Sequence, residues 1–149
     1  MARYPRARWR PLPEQGTQRR ITPTQLVMHS AVGRSSIWGY LARKSVVVES
    51  TWWIGLAADK GGVEQYMDSR EKAEAQYLGN PRALSVETAD NGHPDKFPWT
   101  AYQVEELAQL AAWCHRKHGI PLRRCRSWTD PGIGYHRQFR QWNPNSHSC

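Results

Sequence analysis

The chain has 149 residues, enough for one domain with a real hydrophobic core, and its eight Trp and six Tyr supply large apolar groups to fill it. A formal net charge of +8 and a pI near 9.8 point to an anionic partner, whether nucleic acid, a phosphate-bearing cell wall or a membrane surface. No stretch approaches the ~20 apolar residues that span a bilayer, the basic opening MARYPRARWRP has no apolar run behind it, and three cysteines make no dense disulfide framework, so neither an anchor, a signal peptide nor a disulfide scaffold is expected.

Residues 1–20 carry Pro5, Pro11, Pro13 and six arginines, and read as an extended basic arm on the surface of a domain formed by residues 21–149. Ile21 to Met28 has the β-branched and apolar content of a buried strand and delivers His29 to a strand end. Ser35 to Lys44 reads as a short helix capped by Ser35 or Ser36, with basic residues in its last turn. Val46 to Val48 and Thr51 to Leu56 are strand-like, Asp59 to Gly62 is a turn, and Val63 to Met67 returns, which makes a hairpin.

Asp68 to Gly79 is charged and reads as a helical turn and loop, and Ala83 to Thr88 is the next strand, with Glu87 on the face opposite Val86. After a loop rich in Gly, Pro and Asn, Thr100 caps a helix, with Gln103 completing a capping box and Trp99 and Val104 forming a staple around it. Val104, Leu107, Ala108, Leu110, Ala111 and Cys114 form its apolar stripe, Glu105, Glu106 and Gln109 lie outside it, and Gly119 stops it. Leu122 to Trp128 reads as the last strand, followed by a loop to the end of the chain. Strands interleaved with helices predict an α/β fold with a mixed central sheet flanked by helices.

The chemistry concentrates in Gly132 to Cys149, GIGYHRQFRQWNPNSHSC, where histidines and a cysteine sit in a segment with little helix-forming character. Neutral imidazole and thiolate are ligand types that zinc prefers, and a loop lets ligands distant in sequence converge. An upstream ligand is needed, and His29, at the polar end of Leu26-Val27-Met28, is the best placed. Spacing alone is a weak signal, because no CxxC pair or HExxH helix is present and a strand-end histidine can equally well bond to backbone.

VMHSAVG around His29, LSVETAD around Glu87, and GIGYH followed by NSHSC together resemble the zinc-dependent N-acetylmuramoyl-L-alanine amidases, whose fold is shared by phage endolysins and peptidoglycan recognition proteins. The likeness runs in the family's order from about Ile21 to Cys149. It implies Zn²⁺ held by His29, His136 and Cys149, with Glu87 as acid/base in a pattern resembling the IxIE strand of the bacterial branch. Other members place a tyrosine on the hairpin strand, where Ser50, Thr51 and Trp52 stand here. His147 matches a position usually filled by Lys and would donate to a developing oxyanion. The family pattern continues beyond its cysteine with Pro-Gly and a closing helix, while this sequence stops at Cys149, so the domain is expected to be cut short there. The implied substrate is bacterial peptidoglycan, cut between sugar and stem peptide by a monomeric endolysin that is made in the host cytoplasm, lacks a signal peptide, and is then released to the anionic cell wall.

Two other classes compete. A non-catalytic peptidoglycan-binding module would use the same groove without metal, and the His/His/Cys set argues against it. A nucleic-acid binder would use the charge, but arginines spread along the chain without a basic amphipathic helix fit a general field better, so neither nucleic-acid binding nor membrane insertion is expected. His115 and His118 are favoured simply as cations at a helix C-terminus, His93 as a surface residue, and Cys114 and Cys125 as buried thiols or one disulfide.

Overall fold

A computed structural model of the chain describes residues 1–90 and 93–148. Six strands form one sheet: β1 (Arg8–Trp9), β2 (Gln25–Ser30), β3 (Trp52–Ile54), β4 (Val63–Gln65), β5 (Ala83–Thr88) and β6 (Gly132–Tyr135). Their order is β1-β4-β3-β5-β2-β6, and only the β3–β4 neighbours run antiparallel. Two helices accompany them, α1 (Trp38–Leu41) and α2 (Ala101–His118). Among the described residues no helix is long and apolar enough to cross a membrane.

Strand alternation sorts the side chains onto two faces. Leu26 of β2, Leu84 and Val86 of β5, and Trp52 and Ile54 of β3 pack with Leu107, Leu110, Ala111 and Cys114 of α2 in one core. The intervening residues, Val27, His29, Ser85 and Glu87, therefore face away from α2. There Val27 and Ala83 meet Trp142, and Trp53 meets Leu41, Tyr66 and Met67. β2 and β5 are covered on both faces, as central parallel strands are, although each keeps polar residues among its apolar ones.

The long helix forms as its sequence specifies. Thr100 accepts from the Gln103 backbone, Gln103 returns a bond to the Thr100 backbone, and Gly119 closes the helix at φ 73°. Its buried stripe, however, is displaced from the expected one. Val104 is exposed, while Gln103 and Glu106 are buried, because Gln103 Nε2 donates to the Ala89 carbonyl (2.7 Å) and Glu106 pairs with Arg6.

Arg6 belongs to the segment expected on the surface, and the segment is instead built into the fold. β1 adds a parallel strand to β4, and Ala2, Tyr4 and Leu12 are buried. Gln65 holds it, accepting from Tyr4 N (2.7 Å) and donating to the carbonyls of Ala2 (3.0 Å) and Met67 (2.7 Å). Arg8 and Arg10 pair with the fully buried Glu64. The arginines thus neutralise carboxylates that the fold buries, and Leu12 contributes about 1.5–3 kcal/mol by leaving water.

Three further expectations are corrected. The helix at Ser35 shrinks to the four residues of α1, because the Ser36 hydroxyl is taken by Glu64 (2.5 Å) and Tyr66 (3.0 Å) and reaches Trp38 N at only 3.4 Å. Val46 to Val48 forms no strand, and Val47 is largely exposed. Leu122 to Trp128 is not the last strand either. Arg123 and Arg126 fold back onto Asp130, leaving a single bridge between Arg124 and Ile133, and the edge of the sheet is β6, in the glycine-rich stretch taken for loop. Cys114 and Cys125 are buried free thiols.

Candidate active site

The parallel strands β6, β2 and β5 lie side by side and end together, the place where open α/β sheets form their sites. His29 is the penultimate residue of β2 and is in register with Glu87 of β5. His136 follows β6 directly and opens a 3-10 turn. The two imidazole rings stand 4.3 Å apart between centroids, and His29 Nδ1 is 3.6 Å from Glu87 Oε1. A cleft of about 510 Å³ is lined by His29, Glu87, His136 and His147, with Val47, Val48 and Tyr77 among its walls. On the other side of His29 a groove of about 330 Å³ runs past Phe97, Trp99 and Tyr135.

Burial sets the charge states. His29 is pushed down to about 3, mainly by its burial and then by His136, which favours its neutral form. His136 is lowered for the same first reason, although its bond to the Trp142 carbonyl opposes the shift. Glu87 is pushed up to about 8, by burial first and by Asp90 second, and its Oε2 is buried with no hydrogen-bond partner among the described residues. The cleft thus holds two imidazoles in the form that binds metals, beside a carboxyl group with an unsatisfied oxygen.

The surroundings hold these groups in place. His136 Nε2 donates to the Trp142 carbonyl at 2.8 Å, and the Trp142 ring is wholly buried over Gly134. His29 Nε2 is 3.3 Å from Gln76 Oε1. Asn143 clasps the backbone of residue 147, accepting from His147 N (2.8 Å) and donating to its carbonyl (2.7 Å), which presents His147 at the cleft. Trp142, Asn143 and Gln76 escaped the sequence reading. Only Asn143, in an Asn-Pro pair, carries a turn signal, and the other two act through contacts that no local pattern announces.

Of the expected site residues, His29, Glu87, His136 and His147 come together, and Cys149 lies outside the described residues. Among the described residues no group of three His, Cys, Asp or Glu side chains is placed to hold a metal. Ser50 lines the cleft, but Trp52 points into the core beneath α2 and is no part of the groove. His115 bonds to the Ile120 carbonyl and His118 to Ser69, so each has a local structural partner.

A family model for N-acetylmuramoyl-L-alanine amidase matches residues 17–149. The chain belongs to that amidase family. No curated protein matches the sequence.

Solved structures agree on the fold. The N-acetylmuramoyl-L-alanine amidase LysC from Clostridium intestinale is similar at a TM-score of 0.63 and 15% identity, over 80% of this chain and 76% of that one. PlyL is similar at 0.67 and 12%, over 92% and 82%. The Staphylococcus aureus hydrolase AmiA, solved with its ligand, gives 0.67 and 12%, over 95% and 69%. At such identities the likeness establishes the fold alone, and it agrees with the α/β architecture described above.

Proposed function

We propose that the chain hydrolyses the amide bond between N-acetylmuramic acid and the L-alanine of the stem peptide in bacterial peptidoglycan, with zinc held by His29, His136 and Cys149. The observation that carries this reading is the convergence of His29, Glu87, His136 and His147 on one cleft at the ends of three neighbouring parallel strands. The donors present fit the ion. Two buried, neutral imidazoles are zinc ligands of the usual kind, and the His136 ring has the backbone carbonyl partner that metal-bound histidines commonly have. Zinc bound there would act as a Lewis acid, bringing the pKa of water toward neutrality and polarising the lactyl carbonyl.

The chain's own residues supply the rest. Glu87 Oε1 takes the proton of the attacking water and passes it to the nitrogen of the departing L-alanine. Its burial, which favours the protonated form, makes it an effective donor in that second transfer. A ring N–H of His147 donates to the oxygen that gathers negative charge. Val47, Val48 and Tyr77 give the cleft apolar walls beside the reacting bond. The setting we propose is that of an endolysin, the kind of enzyme named among its structural neighbours.

The test is digestion of purified peptidoglycan. New L-alanine amino ends should appear without new reducing sugar ends, and Glu87→Gln should keep its zinc while losing about two to four orders of magnitude in turnover. A Glu87→Gln enzyme within a few fold of wild type would remove Glu87 from the chemistry. Full activity in zinc-free protein would remove the metal. Saturable binding of muropeptide without any cleavage would replace the enzyme with a binding module.

A further inference from the structure

Gln76 is wholly buried, at the start of the 3-10 turn Tyr77–Gly79, and its side-chain amide lies between two partners. Its Nε2 is 3.3 Å from the carbonyl of Ala83, and its Oε1 is 3.3 Å from His29 Nε2. A backbone carbonyl can only accept, so the amide NH₂ must face Ala83 and the amide oxygen must face the imidazole. An oxygen offered to a neutral ring nitrogen requires an N–H there. His29 therefore carries its proton on Nε2, and the unprotonated nitrogen is Nδ1, the atom that stands 3.6 Å from Glu87.

Without Gln76 this arrangement would have a competitor. Glu87 is the other side chain beside the ring, 3.6 Å from Nδ1, and whenever it is ionised it would draw the His29 proton to that nitrogen. Gln76 is itself held in place, because Asn80 Oδ1 accepts from Ala75 N (3.0 Å) and Gln76 N (2.7 Å) while Asn80 Nδ2 donates to Glu74 (2.5 Å). The same logic holds at the other histidine, whose Nε2–H is fixed by the Trp142 carbonyl.

We propose that Gln76 is a positioning residue that fixes His29 in its Nε2–H tautomer, so that both histidines offer Nδ1 as the ligating lone pair. The purpose of that tautomer rests on the reading of His29 and His136 as zinc ligands; the tautomer itself does not. Long-range ¹H–¹⁵N spectra of the ¹⁵N-labelled, metal-free protein distinguish a protonated ring nitrogen from a bare one, and wild-type His29 should show the Nε2–H pattern.

Gln76→Met, of similar length but without an acceptor, should remove the Nε2–H preference and lower zinc affinity about 10–100-fold in competition with a chelator. Gln76→Glu, protonated at this buried position, keeps an oxygen toward the ring and an O–H toward the Ala83 carbonyl, and should restore affinity to within about threefold of wild type. An Nδ1–H pattern in wild type would overturn the proposal whether or not either variant folds. So would a Met variant with unchanged tautomer and zinc affinity, or Met and Glu variants that lose stability alike with no spectral difference between them. Absence of zinc binding with the Nε2–H pattern intact would sink the zinc reading and leave the role of Gln76 standing.

Discussion

Gly134→Ala tests whether packing beneath the site controls the site. A Cβ at Gly134 would lie 2.6 Å and 2.7 Å from two atoms of the Trp142 ring, well inside the ~3.5–4.0 Å of an ordinary carbon contact. The ring has no room to retreat, since it is wholly buried, with Phe139 edge-on at 4.8 Å between centroids and Val27, Ala83 and Cys125 around it. Relief requires a shift of about 1 Å, and overpacking of this kind costs about 1–3 kcal/mol. Because the Trp142 carbonyl accepts from His136 at 2.8 Å, the same shift would break the bond that orients the imidazole. The expected result is a loss of stability in urea together with a zinc affinity about 10–100-fold lower by chelator competition. Gly119→Ala is the control. It strains a residue at φ 73° in open space at the end of α2, for a penalty of about 1 kcal/mol with no route to the site. A Gly134→Ala protein as stable as wild type, or one destabilised like the control but with unaltered zinc affinity, would refute the reasoning.

Other outcomes follow from the same contacts. Leu12 is buried with Leu41, Trp53 and Tyr66, so Leu12→Ala should cost about 2–5 kcal/mol in urea unfolding, whereas a change within about 0.5 kcal/mol would mean that the arm is loose after all. In metal-free protein the folded Glu87 holds its proton up to about pH 8, while the unfolded chain releases it near pH 4.5, so wild-type stability should fall as pH rises through that window. Glu87→Gln does not titrate there, and its lead over wild type should widen between pH 5 and pH 8, by at most about 1.4 kcal/mol per pH unit; an equal gap at both ends would show that the folded carboxyl is not perturbed. Cys149→Ser should shed zinc and hydrolysis together, because a hydroxyl is a poor substitute for a thiolate, and retention of both would remove Cys149 from the ligand set.

What the sequence made legible was local. The capping box at Thr100 and Gln103, the stop at Gly119 and the alternation of Ala83 to Thr88 are short-range devices, and each appears where its pattern places it. The family motifs around His29, Glu87 and His136 located the cleft, because strand ends deliver side chains to fixed positions. β6 was missed because its glycines look like loop, when Gly134 in fact makes room for Trp142, a residue with no signal in its own neighbourhood. The arm was misread for a related reason: its arginines look solvated until Glu64 and Glu106, far along the chain, are seen to be buried opposite them. Gln76 belongs to the same class, since its role exists only once the Ala83 carbonyl and the His29 ring flank it.

The strand order also bears on how the site comes into being. Among the described residues the antiparallel β3–β4 hairpin is the only pairing between strands close in sequence, whereas β2, β5 and β6 are drawn from residues 25–30, 83–88 and 132–135. Closing those long loops costs entropy before any contact repays it, and chains dominated by such distant pairings fold slowly. The hairpin and α2 can form early from neighbouring residues, but the two histidines meet only when β6 docks on β2. A partly folded chain would therefore have much of its secondary structure and none of its chemistry, and recovery of activity after dilution from denaturant should trail recovery of the helix signal.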